Sequence, residues 1–192
     1  MKKIIALLLI AVCGLTLIAC NPDKGDAKLD AFKDAVSATS ATEATVETTL
    51  STELGDLNGT YTITYATDGS ATIAYSYEKF NEITDDTKEI KSKVEGTVTY
   101  NEDGTWSDNG TFAGDNAVAV SFTINLDASK MTYNINGNTL TGTVTADNSE
   151  SVFGVKLPGD ATLVLVKNDT GIATVTLAYT TEVGTATVTI AY

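Results

Sequence analysis

The sequence predicts an all-β-dominated fold: an antiparallel meander of about eleven strands forming a curved sheet or half-barrel, with a short N-terminal helix and a second short helix late in the chain. Three observations predict it. From Glu43 onward, aliphatic and aromatic residues recur with period two and alternate with Thr, Ser and Ala. Asx-Gly pairs such as Asp68-Gly69, Asp103-Gly104 and Asn136-Gly137 punctuate those runs as hairpin turns do. Helical periodicity is confined to the stretch before Glu43 and one segment after Asp147.

The chain starts with Lys2 and Lys3, followed by an apolar run from Ile4 to Ile18 that is too short to span a bilayer comfortably. It ends in Leu17-Ile18-Ala19-Cys20, where the polar chain Asn21-Pro22-Asp23-Lys24 begins. Cys13 lies mid-run and lacks the small residue that precedes Cys20. The segment resembles a bacterial lipoprotein signal peptide with its lipobox. That resemblance implies cleavage before Cys20 and a lipid on its sulfur, usually with N-acylation. It also implies an extracytoplasmic address, anchored to a bacterial membrane. Residues 1–19 then form the signal peptide, 20–27 a lipidated tether and 28–192 one β domain.

After the tether, Leu29, Phe32 and Val36 fall on one helical face, with Lys28, Asp30, Lys33 and Asp34 on the others and Asp26 placed as N-cap. The first strand is expected over Ala44 to Ser51. Alternation then runs through Tyr61-Ile63-Tyr65, Ile73-Tyr75-Tyr77, Val98-Tyr100, Val118 to Leu126, Leu140-Val144, Val175-Leu177-Tyr179 and Val188-Ile190-Tyr192. Asn58-Gly59, Asn109-Gly110, Asn168 to Gly171 and Glu182-Val183-Gly184 read as further turns. A charged connection is expected from Glu78 to Lys93. Asp147 and Glu150 resemble a capping box before Val152-Phe153, with Pro158-Gly159 as the stop.

Composition excludes several function classes. The formal charge is −13, and removal of Lys2 and Lys3 makes the mature chain two units more negative. There is no arginine and no histidine. A nucleic-acid partner needs a basic face, so none is expected. No Ser-His-Asp triad, Cys-His pair or imidazole metal site can be built. Beyond Cys13 and Cys20 there is no cysteine, so no disulfide framework supports the fold. The acidic body is repelled by an anionic membrane, which leaves the lipid on Cys20 as the attachment.

Carboxylates alone could support glycosidase chemistry. Adjacent Asp85-Asp86, or Glu43 with Glu47, carry no sign of convergence across a cleft. Asn101-Glu102-Asp103-Gly104 and Asp108-Asn109-Gly110 lack the ligand alternation of a calcium loop and read as solvated turns. No enzyme activity and no cofactor are expected. Trp106, between two turns, reads as an edge-packing residue.

A strand sheet of that width is far larger than one three-turn helix, ~16 Å long, can cover. The order of tether, helix Leu29 to Val36, first strand, long meander and late helical turn resembles the LolA/LolB and LppX/LprG-like lipoprotein carriers. The likeness is architectural and covers most of the mature chain. It implies a curved sheet around an apolar cavity. The carriers' functional arginine has no counterpart here. The expected function is therefore non-catalytic: an envelope lipoprotein that binds or carries a lipid or other apolar ligand in its concave face. Leu29, Phe32, Val36, Tyr61, Ile63, Tyr65, Ile73, Tyr75, Tyr77 and Phe122 are the candidate lining. The alternative is a structural or adhesive surface module with a closed core.

Overall fold

A computed structural model describes residues 26–81, 91–103, 105–108, 112 and 124–192. The expected signal peptide, Cys20, Phe122, Asp85-Asp86 and most of the Val118 to Leu126 run lie outside these residues. Among the described residues, nine antiparallel strands form one unclosed curved sheet. They are β1 (Glu43–Thr52), β2 (Gly55–Tyr65), β3 (Ala71–Phe80), β4 (Lys91–Tyr100), β5 (Thr132–Asn136), β6 (Thr139–Val144), β7 (Ala161–Lys167), β8 (Ile172–Thr181) and β9 (Gly184–Ala191). Their order is β4-β3-β2-β1-β9-β8-β7-β6-β5. Two meanders, β1 to β4 and β5 to β9, therefore join where the first strand pairs with the last.

The register lines up the inner face in rows. Gly96, Tyr75, Tyr61, Val46, Ile190, Val175, Leu165, Leu140 and Ile135 form one row through every strand. The outer residues between them are mostly threonines. This is the sidedness that period-two alternation imposes on a sheet with one buried face.

Helix α1 (Ala27–Ala38) opens as the sequence indicates: the Lys28 backbone N–H donates to Asp26 Oδ1 at 3.0 Å. Leu29, Phe32 and Val36 are only 1–2% exposed. At the helix end, Thr39 Oγ1 donates to the Ala35 carbonyl and accepts the Ile172 N–H, both at 2.8 Å, which fixes α1 to the β7–β8 hairpin. Gly171 lies against Thr39 there, and a Cβ would come within 2.8 Å of its hydroxyl. The second helix, α2 (Ser149–Phe153), follows a 3-10 turn at Ala146–Asn148 and buries Val152 and Phe153 completely.

Five readings are corrected. The connection expected from Glu78 to Lys93 is shorter, because β3 runs to Phe80 and β4 begins at Lys91. Its charges fit strands: Glu78 accepts from the Asn58 N–H at 2.8 Å, Lys91 donates to the Asp56 carbonyl, and Lys93 pairs with Glu95. Asn58-Gly59 is not a turn but lies inside β2, opposite Thr48 and Tyr77. Asp147 and Glu150 form no capping box. Instead Ser149 Oγ accepts the Leu157 N–H at 2.8 Å and donates to the Ala146 carbonyl, while Asp160 accepts the Ala146 N–H. The helix stops at left-handed Gly154 (φ 70°), before Pro158-Gly159. Finally, Ile124 and Leu126, at the end of the expected strand, are buried but not in a strand; Asn125 bonds to the Val152 carbonyl beside α2.

Candidate functional site

The two arms of the concave face differ in chemistry. On β5 to β9 the inner residues are largely aliphatic, and many of them are fully buried. On β2 to β4 they include the tyrosines Tyr61, Tyr65, Tyr75, Tyr77 and Tyr100. Tyr61 stacks on Tyr77 with ring centroids 6.4 Å apart, and Tyr77 lies 5.9 Å from Tyr75. Phe112 touches Tyr61 edge-on and comes within 4.6 Å of Tyr75. Trp106 links Phe112 at 5.8 Å to Tyr100 at 5.0 Å. Offset and edge contacts at these spacings are the favourable ones for rings.

Glycines seat this cluster. The Tyr75 hydroxyl lies over Gly96, where a Cβ would come within 2.5 Å of it. The Tyr61 hydroxyl lies over Gly59 in the same manner, at 2.9 Å. Each glycine removes a side chain that the ring tip would otherwise strike, which explains glycine inside a strand.

Tyr61 is fully buried, and its Oη has no hydrogen-bond partner. Thr48, 5% exposed, is the inward polar residue beside it. Its hydroxyl gives its proton to the Gly59 carbonyl at 3.4 Å. Burial pushes the Tyr61 phenol well above its ordinary range, and the neighbouring Tyr77 adds to the rise, which Thr48 beside the phenol slightly offsets. Tyr179, buried on β8, is pushed up to about 12 by the same desolvation.

The candidate lining separates into two groups. Tyr61, Tyr75 and Tyr77 meet in the aromatic cluster. Ile63 pairs with Ile73 in the next inner row, both fully buried, and Tyr65 and Tyr100 flank Ala71 beyond them. Leu29, Phe32 and Val36 instead belong to the helix fixed at the β7–β8 hairpin, where Lys167 Nζ stands 5.7 Å from the Phe32 ring. Tyr179 pairs with Ala161 and Ala186, away from the other tyrosines. Phe112 was not among the candidates; it lies outside any alternating run, so nothing in its spacing marks it. Trp106 packs at the sheet edge, bridged to Tyr100.

The acidic turns satisfy themselves. Asp103 accepts from the Thr105 N–H and hydroxyl, and Asp68 from those of Ser70, which holds both carboxyls below the usual range. Glu43 and Glu47 are exposed on the outer face of β1. Among the described residues no group of three or more His, Cys, Asp or Glu could hold a metal ion. The concave arm thus offers apolar contact and ring faces, with the Tyr61 hydroxyl sealed beneath them. No protein-family model matches the chain, and no curated protein matches it.

Proposed function

We propose that this protein is a non-catalytic cell-envelope lipoprotein, anchored through a lipid on Cys20, that binds or shields an apolar ligand against the aromatic arm of its concave face. One observation carries the reading. The helix face and most inner residues of β6 to β9 are closed tightly, whereas Tyr65, Tyr75, Tyr77, Tyr100 and Trp106 on the β2 to β4 arm are only half-buried. Ring faces are good apolar contact surfaces with polar tips.

Native mass spectrometry of the protein expressed without its lipid anchor tests this. An added mass that a hydrophobic extraction removes is expected, and a protein of bare chain mass refutes it. The anchor has its own test. Cys20→Ala should abolish labelling by a clickable fatty acid in cells, and continued labelling would refute attachment at Cys20.

A second reading is a structural or adhesive module with a closed core. The near-complete burial of Leu29, Phe32, Val36, Ile63 and Ile73 favours it. The two readings part on whether a ligand is recovered.

A further inference from the structure

The convex face divides by charge. On the β1 to β4 arm its outward residues include Glu43, Glu47, Asp56, Glu78, Lys93 and Glu95. On β5 to β9 no outward residue is charged, in a chain whose formal charge is −13. Asn134, Thr141, Val164, Thr176 and Thr189 form one row straight across these five strands. The rows on either side are likewise of Thr, Asn, Val and Ala. A solvated protein face ordinarily carries about a quarter to a third charged residues, as the β1 to β4 arm does.

We propose that this charge-free face is a contact surface for a second copy of the chain, packed face to face about a two-fold axis. Three features single out that partner. Each threonine hydroxyl both donates and accepts, so the face complements itself, as an isologous contact requires. Two copies of so acidic a chain repel each other, and on this face of the described strands they meet without opposed carboxylates. The face carries no aromatic residue, because Tyr133 and Tyr179 point inward, so it lacks the stacking platform on which a sugar would rest.

Five strands ~4.8 Å apart and three rows ~6.8 Å apart give a face of about 500 Å² per copy. The total of ~1,000 Å² is at the lower limit for a specific interface, and the outward bow of the sheet reduces it. Association is therefore weak and reversible, with a dissociation constant above ~1 µM. On a membrane the anchor would compensate by raising the local concentration. This inference does not depend on a ligand in the concave face.

Equilibrium sedimentation of the full chain in a non-ionic detergent tests it. The wild type is expected to associate reversibly. Val164→Glu and Val164→Lys, at the centre of the face, should each weaken association at least about tenfold, because like charges then oppose across the axis. Mixing the two variants should restore it. Thr97→Glu, outward on β4, should change nothing. Thr141→Glu serves as an independent probe if a Val164 variant loses its circular dichroism spectrum. A wild type that stays monomeric to its solubility limit would overturn the proposal. So would association that is indifferent to charge at both Val164 and Thr141, as chains merely sharing a micelle would show.

Discussion

Tyr61→Phe should stabilise the protein. Loss of a buried tyrosine hydroxyl usually costs its hydrogen bond, but here Oη makes none, and Thr48 keeps its own bond to Gly59. The substitution removes a desolvation penalty of ~1–3 kcal/mol and leaves a gap of one oxygen atom over Gly59. A net gain of ~1 kcal/mol is expected, which for a chain of this size raises the melting temperature by ~2–4 °C. The pH dependence gives a second reading. Burial raises the folded-state pKa of both Tyr61 and Tyr179, the latter to about 12, whereas an unfolded tyrosine ionises near ~10. Because folding holds the protonated phenols, their contribution is complete below pH ~10 and is lost as pH rises through the folded values. The Tyr61→Phe variant should therefore lose stability less steeply above pH ~10 than the wild type. Urea titrations at neutral and alkaline pH measure both effects. A variant destabilised by more than ~1 kcal/mol would show that the hydroxyl is bonded.

Three further outcomes follow from the same packing. Ile63→Asp should lower the urea midpoint far more than Thr64→Asp, since Ile63 is fully buried while Thr64 faces solvent; equal midpoints would invert the register of β2. Phe32→Ala should cost the ~3–5 kcal/mol of a buried ring and leave acyl-probe binding intact, whereas a small cost with raised dye binding would move the ligand beneath α1. Gly96→Ala should cost ~1–3 kcal/mol and shift Trp106 emission by driving the Tyr75 ring from its seat; unchanged emission would uncouple Tyr75 from the cluster.

Strands with one clean apolar face were legible in the sequence. Tyr61-Ile63-Tyr65, Ile73-Tyr75-Tyr77 and Val188-Ile190 each carry threonine, serine or alanine between their inward residues, and each lies in a strand. β7 gives a weaker signal, because Val164 and Val166 face outward beside inward Leu163 and Leu165 and erase the alternation. The ends of β3 and β4 were hidden by charge, since Glu78, Lys91 and Lys93 read as loop until their cross-strand partners are known. Gly59 and Gly96 show how tertiary contact overrides local signal. Asn58-Gly59 has the composition of a turn, but the glycine is there to admit a tyrosine tip. The tyrosine stripe was readable as a shared face. Its separation from the helix was not, because strand order, and not spacing along the chain, sets β2 to β4 apart from the β7–β8 hairpin that holds α1.

Trp106 allows the most direct measurement. It is the single tryptophan of the chain and packs on Tyr100 and Phe112, so its emission reports on the aromatic arm alone. Titration with an acyl chain bearing a bromine or nitroxide quencher should give saturable, near-stoichiometric quenching that an unlabelled acyl lipid reverses by competition. Quenching that rises linearly without saturation, at the rate seen for a free tryptophan analogue, would contradict an apolar ligand site on the concave face and leave the closed structural module.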